Sequence, residues 1–119
     1  MTIQATPLRP STSAAGVTAK FFRGLGDPTR IRVLQLLSEG ERNVGELVDQ
    51  TGTLQGRLSS HLACLRWCGF VATRREGRLV YYRIADDRVL GLLASADEFI
   101  AEHGVSVDLC RVIDGEDRR

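Results

Sequence analysis

Along this chain the apolar residues recur first with a helical period, then in alternation, and finally with a helical period again. Val17, Phe21 and Leu25 form one helical stripe from Ala14 that ends among Gly24 to Gly26. Asp27-Pro28 comes next, a capping carboxylate followed by a proline where a missing N–H does no harm. It opens a helix through Ile31, Val33, Leu34 and Leu37 that stops near Gly40. Asn43 and Glu46 have capping-box spacing and predict a short helix with Val44, Leu47 and Val48 inward, halted at Thr51-Gly52. Thr53 is expected to cap a longer helix whose Leu54, Leu58, Leu62 and Leu65 form a core stripe ending at Gly69. Two helices joined by a short glycine-containing turn are the helix-turn-helix pattern.

Beyond Gly69 the period becomes 2. Phe70 to Arg75 and Leu79 to Ile84, joined by Glu76-Gly77-Arg78, predict a β-hairpin in which Val80, Tyr81 and Tyr82 favour strand. Asp86 and Asp87 then start a last helix, with Val89, Leu92, Leu93, Ala96 and Ile100 on one face as far as Gly104. The fold class is mainly α with a β-hairpin, in the order α-α-α-α-β-β-α: a winged helix-turn-helix with an extra helix at each end. Residues 1–12, rich in Pro, Ser and Thr, read as a disordered tail; 13–104 form the domain; 105–119 are a tail carrying Cys110.

Composition narrows the class. The chain has 119 residues, 43% hydrophobic and 26% charged, which fits one globular domain without room for a second. No apolar run approaches the ~20 residues of a membrane span, so no membrane partner is expected. The opening MTIQATPLRPSTSAAG lacks the charged and apolar regions of a secretory signal, and the cytoplasm is the expected compartment. Three cysteines are too few for a disulfide scaffold.

The net charge of +1 conceals a division. Residues 53–83 carry six arginines against Glu76, a net +5, while residues 84–119 carry a net −5. A basic middle suits a phosphate-backbone binder, here operator double-stranded DNA. The second helix of the pair offers Gln55, Gly56, Arg57, Ser59, Ser60 and His61 from its N-terminal half. Glutamine pairs bidentately with adenine and arginine with guanine, and hydroxyls suit phosphates. Arg74, Arg75 and Arg78 of the hairpin are expected to lie along the neighbouring backbone as a wing. Operators are usually read by symmetric dimers, and the outer helices carry apolar positions for a homodimer interface at Val17, Phe21, Leu25, Leu92, Phe99 and Ile100.

Cys64 and Cys68 are four residues apart, so their thiols leave one face of the helix. With Leu58 at zero and ~100° per residue, they fall near −120° and −80°, flanking the leucine stripe rather than forming it. Alone they would pass for small packed side chains. Cys110, in the tail, adds a third thiolate with no packing role evident. Three thiolates without a nearby His suit Cd(II), Pb(II) or Hg(II), while structural zinc would normally have a fourth ligand and a CxxC knuckle. Such an ion would be the effector, with no organic cofactor. Ligation needs deprotonated thiols, so metal binding is expected to weaken at acid pH. One rival is a thiol-based redox sensor of the same fold. Another is a thiol enzyme with His61 as base for Cys64, which lacks an orienting group and oxyanion donors, so no enzyme is expected.

The stretches DPTRIRVLQLL, LSSHLACLRWCGFV and REGRLVYYRIAD, over roughly residues 15 to 103, resemble the ArsR/SmtB family of metal-responsive repressors. The Ser-x-His-Leu run at Ser59 to Leu62 and the Gly77 wing turn agree with it. The resemblance implies a dimer that occupies its operator when metal-free and leaves it on binding metal. Glu41 to Leu47 lack the Cys-x-Cys pair of one branch. Arg88 and Phe99 stand where the zinc-type branch needs histidines, leaving Asp86 and Glu102 without partners. Cys64, Cys68 and Cys110 look like the ligand set of the cadmium- and lead-sensing branch, in which the tail thiolate comes from the other subunit; mercury-responsive relatives also exist in the family.

Overall fold

The computed structural model describes residues 13–115; the tail expected at 1–12, and residues 116–119, lie outside them. Two compact units divide the chain, one ending at Ala85 and one starting at Asp86.

The first unit opens with α1 (Ala14–Leu25) and α2 (Pro28–Ser38). Asp27 caps α2 as expected, its Oδ1 accepting from the N–H groups of Thr29 at 2.8 Å and Arg30 at 3.1 Å. A two-residue strand β1 (Arg42–Asn43) leads into α3 (Val44–Thr51). The capping box is formed: the Glu46 N–H donates to Asn43 Oδ1 and the Asn43 N–H to Glu46 Oε1, each at 2.9 Å. Gly52, at φ 69°, ends α3 in the left-handed conformation that a side chain would resist, and sets up the turn into α4 (Gln55–Trp67).

The start of α4 departs from expectation. Leu54, not Thr53, is the N-cap, no side chain caps the helix, and Thr53 instead donates its N–H to Thr51 Oγ1 at 3.2 Å. Leu54 is 81% exposed and so drops out of the core stripe. Leu58, Leu62 and Leu65 are fully buried, each contributing roughly 1.5–3 kcal/mol of transfer free energy, and with Leu34 and Leu47 they hold α2, α3 and α4 together.

Strands β2 (Val71–Glu76) and β3 (Leu79–Ile84) form the hairpin, with Glu76 opposite Leu79 across Gly77-Arg78. Gly77 has φ 60° at the first central position, where two-residue hairpin turns favour glycine. The hairpin is not isolated, since β1 pairs antiparallel with β3 through Arg42 and Tyr82 and through Asn43 and Tyr81, making a sheet of order β1-β3-β2.

In the second unit α5 (Arg88–Asp108) passes straight through Gly104, the expected stop, and α6 (Arg111–Asp114) follows after a break at Leu109-Cys110. The described part of the expected tail is thus largely helical. Among the described residues no helix is long and apolar enough to cross a membrane.

Candidate functional site

The N-terminal half of α4 presents Gln55, Gly56, Arg57, Ser59 and Ser60 to solvent. With no side chain capping the helix, its first N–H groups and the positive end of its dipole are open to an anion. A Cβ added at Gly56 would meet nothing within 4 Å, so packing within the chain does not demand glycine there.

His61 is placed differently from its neighbours, its side chain 12% exposed and turned inward. Its Nδ1 lies 3.1 Å from Arg30 Nη1 and 3.7 Å from Asp27 Oδ1. The contact removes His61 from the side chains free to meet a base, which corrects the sequence expectation. Arg30 also donates from Nε to the Gly24 carbonyl at 2.8 Å and from Nη2 to the Arg23 carbonyl at 3.1 Å, tying the end of α1 to α4 through α2. Burial pushes the Asp27 carboxyl up, but the Arg30 and Thr29 N–H groups and the neighbouring His61 and Arg30 outweigh it, leaving Asp27 below its ordinary value.

The three wing arginines are not equivalent. Arg74 is held by Glu41, with contacts of 2.6 to 2.9 Å, and by Glu76 at 2.7 Å, and its guanidinium lies 4.5 Å from the centre of the Tyr81 ring. The Arg74 hydrogen bonds hold the Glu41 carboxyl below its usual range, and donating to Glu41 and Glu76 pushes Arg74 further up. Its charge is already matched, which removes it from the free cations expected of the wing. Among the described residues Arg57, Arg75 and Arg78 are exposed and have no hydrogen-bond or ion-pair partner.

Cys64 is half-buried and Cys68 exposed, and both are free thiols. A Cβ at Gly24 would stand 3.1 Å from Cys68 Sγ, so the absence of a side chain there lets this sulfur lie on the end of α1. Partial burial, then the charge and hydrogen bonding of Cys64, push the Cys68 thiol above its ordinary value, against the pull of Arg30 and Lys20. Cys110 is a half-buried free thiol in the second unit, its N–H donating to the Val107 carbonyl at 3.1 Å. Among the described residues of one copy, no three His, Cys, Asp or Glu side chains gather as a metal-binding group.

Of the apolar positions expected to face a second copy, Leu25 is corrected: at 7% exposure it belongs to the chain's own core. Phe21 is half-buried and packs edge-on against Phe70, its ring centroid 5.3 Å away. Val17, Leu92, Phe99 and Ile100 are 40%, 41%, 56% and 49% exposed. Asp86 is bound to Arg88 at 2.6 Å, and hydrogen bonds from Arg88 pull its carboxyl down to about 2. Sequence reading passed over Arg30, Glu41 and Trp67. The first two act through partners distant in sequence; Trp67 was findable, nine residues and ~180° from Leu58 on the α4 wheel.

The pattern described as "Bacterial regulatory protein, arsR family" matches residues 27–73. The "probable mercury resistance operon repressor" of Streptomyces lividans is 43% identical over 99 residues, spanning 83% of this chain and 79% of that protein. The chain belongs to the arsR family. Crystalline Rv0081 of Mycobacterium tuberculosis superposes on this arsR-family chain with a TM-score of 0.73 and 40% identity, covering 77% of this chain and 93% of that one. The solution structure of a homodimeric winged helix-turn-helix DNA-binding domain, Mb0332 of Mycobacterium bovis, gives 0.68 and 33%, covering 82% and 93%. The arsR-family chain is therefore a winged helix-turn-helix transcriptional regulator of the ArsR/SmtB type and not an enzyme.

Proposed function

We propose that this chain is a cytoplasmic, homodimeric repressor that holds operator DNA when metal-free and releases it on binding Cd(II), Pb(II) or Hg(II) through the thiolates of Cys64, Cys68 and Cys110, with Cys110 supplied by the partner copy. One observation carries the reading. Two neighbouring free thiols sit on the helix whose other end carries Gln55, Gly56, Arg57, Ser59 and Ser60 in the open. The mercury-resistance name of a 43%-identical relative supports the effector class, and the homodimeric neighbour supports the assembly.

The donor set fits a soft ion, because Cys64 and Cys68 are free thiols about one helical turn apart with no carboxylate or imidazole between them. A bound soft ion supplies a Lewis acid that replaces thiol protons. The chain supplies the coupling. Cys68 rests on Gly24, the Gly24 carbonyl accepts from Arg30, and Arg30 bonds His61 within α4. A displaced Cys68 therefore disturbs the contacts that seat α4, and a coupling of ~1 to 3 kcal/mol would change operator affinity about 5- to 150-fold.

The test is titration of the reduced protein with Cd, Pb and Hg under anaerobic conditions, following thiolate absorption in the ultraviolet and operator binding in parallel. Cys64→Ser, Cys68→Ser and Cys110→Ser are each expected to abolish release while leaving metal-free DNA binding nearly intact. A normal metal response in Cys110→Ser would refute the three-sulfur set. Release by peroxide alone would favour the redox reading.

A further inference from the structure

The face of α4 opposite its leucines ends in an aromatic residue that the chain does not use. Trp67 is 90% exposed, and with Ser59, Ala63, Arg66 and Tyr82 it lines an open cleft of about 490 Å³ between α4 and β3. We propose that this cleft takes the deoxyribose-phosphate backbone bordering the major groove. Arg66 pairs there with a phosphate and the Trp67 indole packs on a sugar, so the DNA-contacting face of α4 spans its whole length. The proposal rests on DNA binding by the α4 and wing surface.

Three observations favour this occupant. The cleft is continuous with the expected reading surface, because Ser59 belongs to both. From Ser59 to Trp67 the helix advances about 12 Å, close to the ~12 Å width of the major groove, so a helix reading bases at one end reaches the bordering backbone at the other. The charge is complementary: no lining residue is acidic, and Arg66 has no ion-pair or hydrogen-bond partner among the described residues. Strand alternation also puts Arg75 on the sheet face of Tyr82, since Thr73 is opposite Tyr82 and Arg75 opposite Val80. Arg74, with its Glu41 partner, lies on the other face. A small-molecule pocket would bury most of its ligand, which a wall this exposed does not.

The chain has one tryptophan, so its emission reports on Trp67 alone. The contact is with backbone, so a mixed-sequence duplex of about three helical turns serves as probe at low salt. The duplex is fluorescently labelled, and the protein is full-length, reduced and metal-free. Tryptophan emission is expected to shift, and acrylamide quenching to fall, in step with the duplex anisotropy. Trp67→Ala is expected to weaken binding about tenfold, and Trp67→Phe to recover much of that loss. Arg66→Ala is expected to lower the slope of log affinity against log salt by about one. Circular dichroism checks that the variants fold. Normal duplex binding with unchanged emission, unchanged quenching and a Trp67→Ala affinity within about twofold of wild type would overturn the proposal. An indole already shielded from acrylamide in the DNA-free protein would overturn it too, by showing that a second copy covers the cleft. No anisotropy change with the unaltered chain would instead overturn the DNA-binding reading beneath it.

Discussion

Arg74 and Arg75 are neighbours in sequence and opposites in circumstance. One is sandwiched between two carboxylates and a tyrosine ring; the other stands free on the opposite face of the hairpin. A cation already matched by protein carboxylates releases few counterions when DNA arrives, whereas a free one lets the DNA release about one. Arg75→Ala is therefore expected to lower the log-log salt slope of operator binding by about one, measured by anisotropy at several salt concentrations. Arg74→Ala is expected to leave the slope unchanged and to lower the melting temperature slightly, by leaving Glu41 without its partner. Equal slopes for the two variants would refute the distinction. Strand alternation made the two faces legible in the sequence. The neutralisation was not, because Glu41 lies 33 positions away and reaches the wing through the fold. The same holds for His61, whose partners are Arg30 on α2 and the cap residue Asp27 before it.

Helix starts proved more legible than helix ends, since a cap is local whereas a stop depends on whether the residues beyond it can carry the helix on. Asp27-Pro28 and the Asn43-Glu46 box act within three residues, and both formed as expected. Gly104 ended nothing. Glycine only permits a left-handed turn, and the residues from Val105 to Asp108 continue the helix instead, at a cost of roughly 1 kcal/mol relative to alanine at Gly104. The cap at Asp27 yields a pH prediction. Its folded-state pKa is depressed, so its contribution to stability is fully present above the ordinary value of 3.8 and is lost as pH falls through the lower folded value. Asp27→Ala is expected to cost about 1 kcal/mol near pH 7. In denaturant melts, the gap between variant and parent is expected to narrow below about pH 4. A gap independent of pH down to 2 would mean that the carboxylate charge contributes nothing and that shape alone caps α2.

For the molecule as a whole, the open question is what covers the apolar positions that one copy leaves exposed. An apolar stripe shows that a face must be buried but not against what; hence the core residue Leu25 and the exposed Phe99 looked alike in the sequence. Phe99 and Ile100 of α5 are about half exposed, and Val17 of α1 only slightly less. On the proposed dimer reading, seating Phe99 and Ile100 against a second copy would remove that surface from water and present two α4 helices to two half-sites, so that the second contact would become intramolecular and raise avidity by about 10²- to 10⁴-fold. Replacing Phe99 and Ile100 together by serine removes apolar area without adding charge, leaving the DNA-facing electrostatics unchanged. The variant is expected to sediment as a monomer at micromolar concentration and to lose at least about a hundredfold in operator affinity, while each copy keeps its circular dichroism. With the dimer gone, Cys110 also loses the partner α4 assigned to it, so the monomer should bind the effector ion more weakly even though all three thiols remain. A variant that stays dimeric with unaltered affinity would mean that copies join through another surface. A monomer with undiminished metal affinity would place the third sulfur on the same chain as the other two.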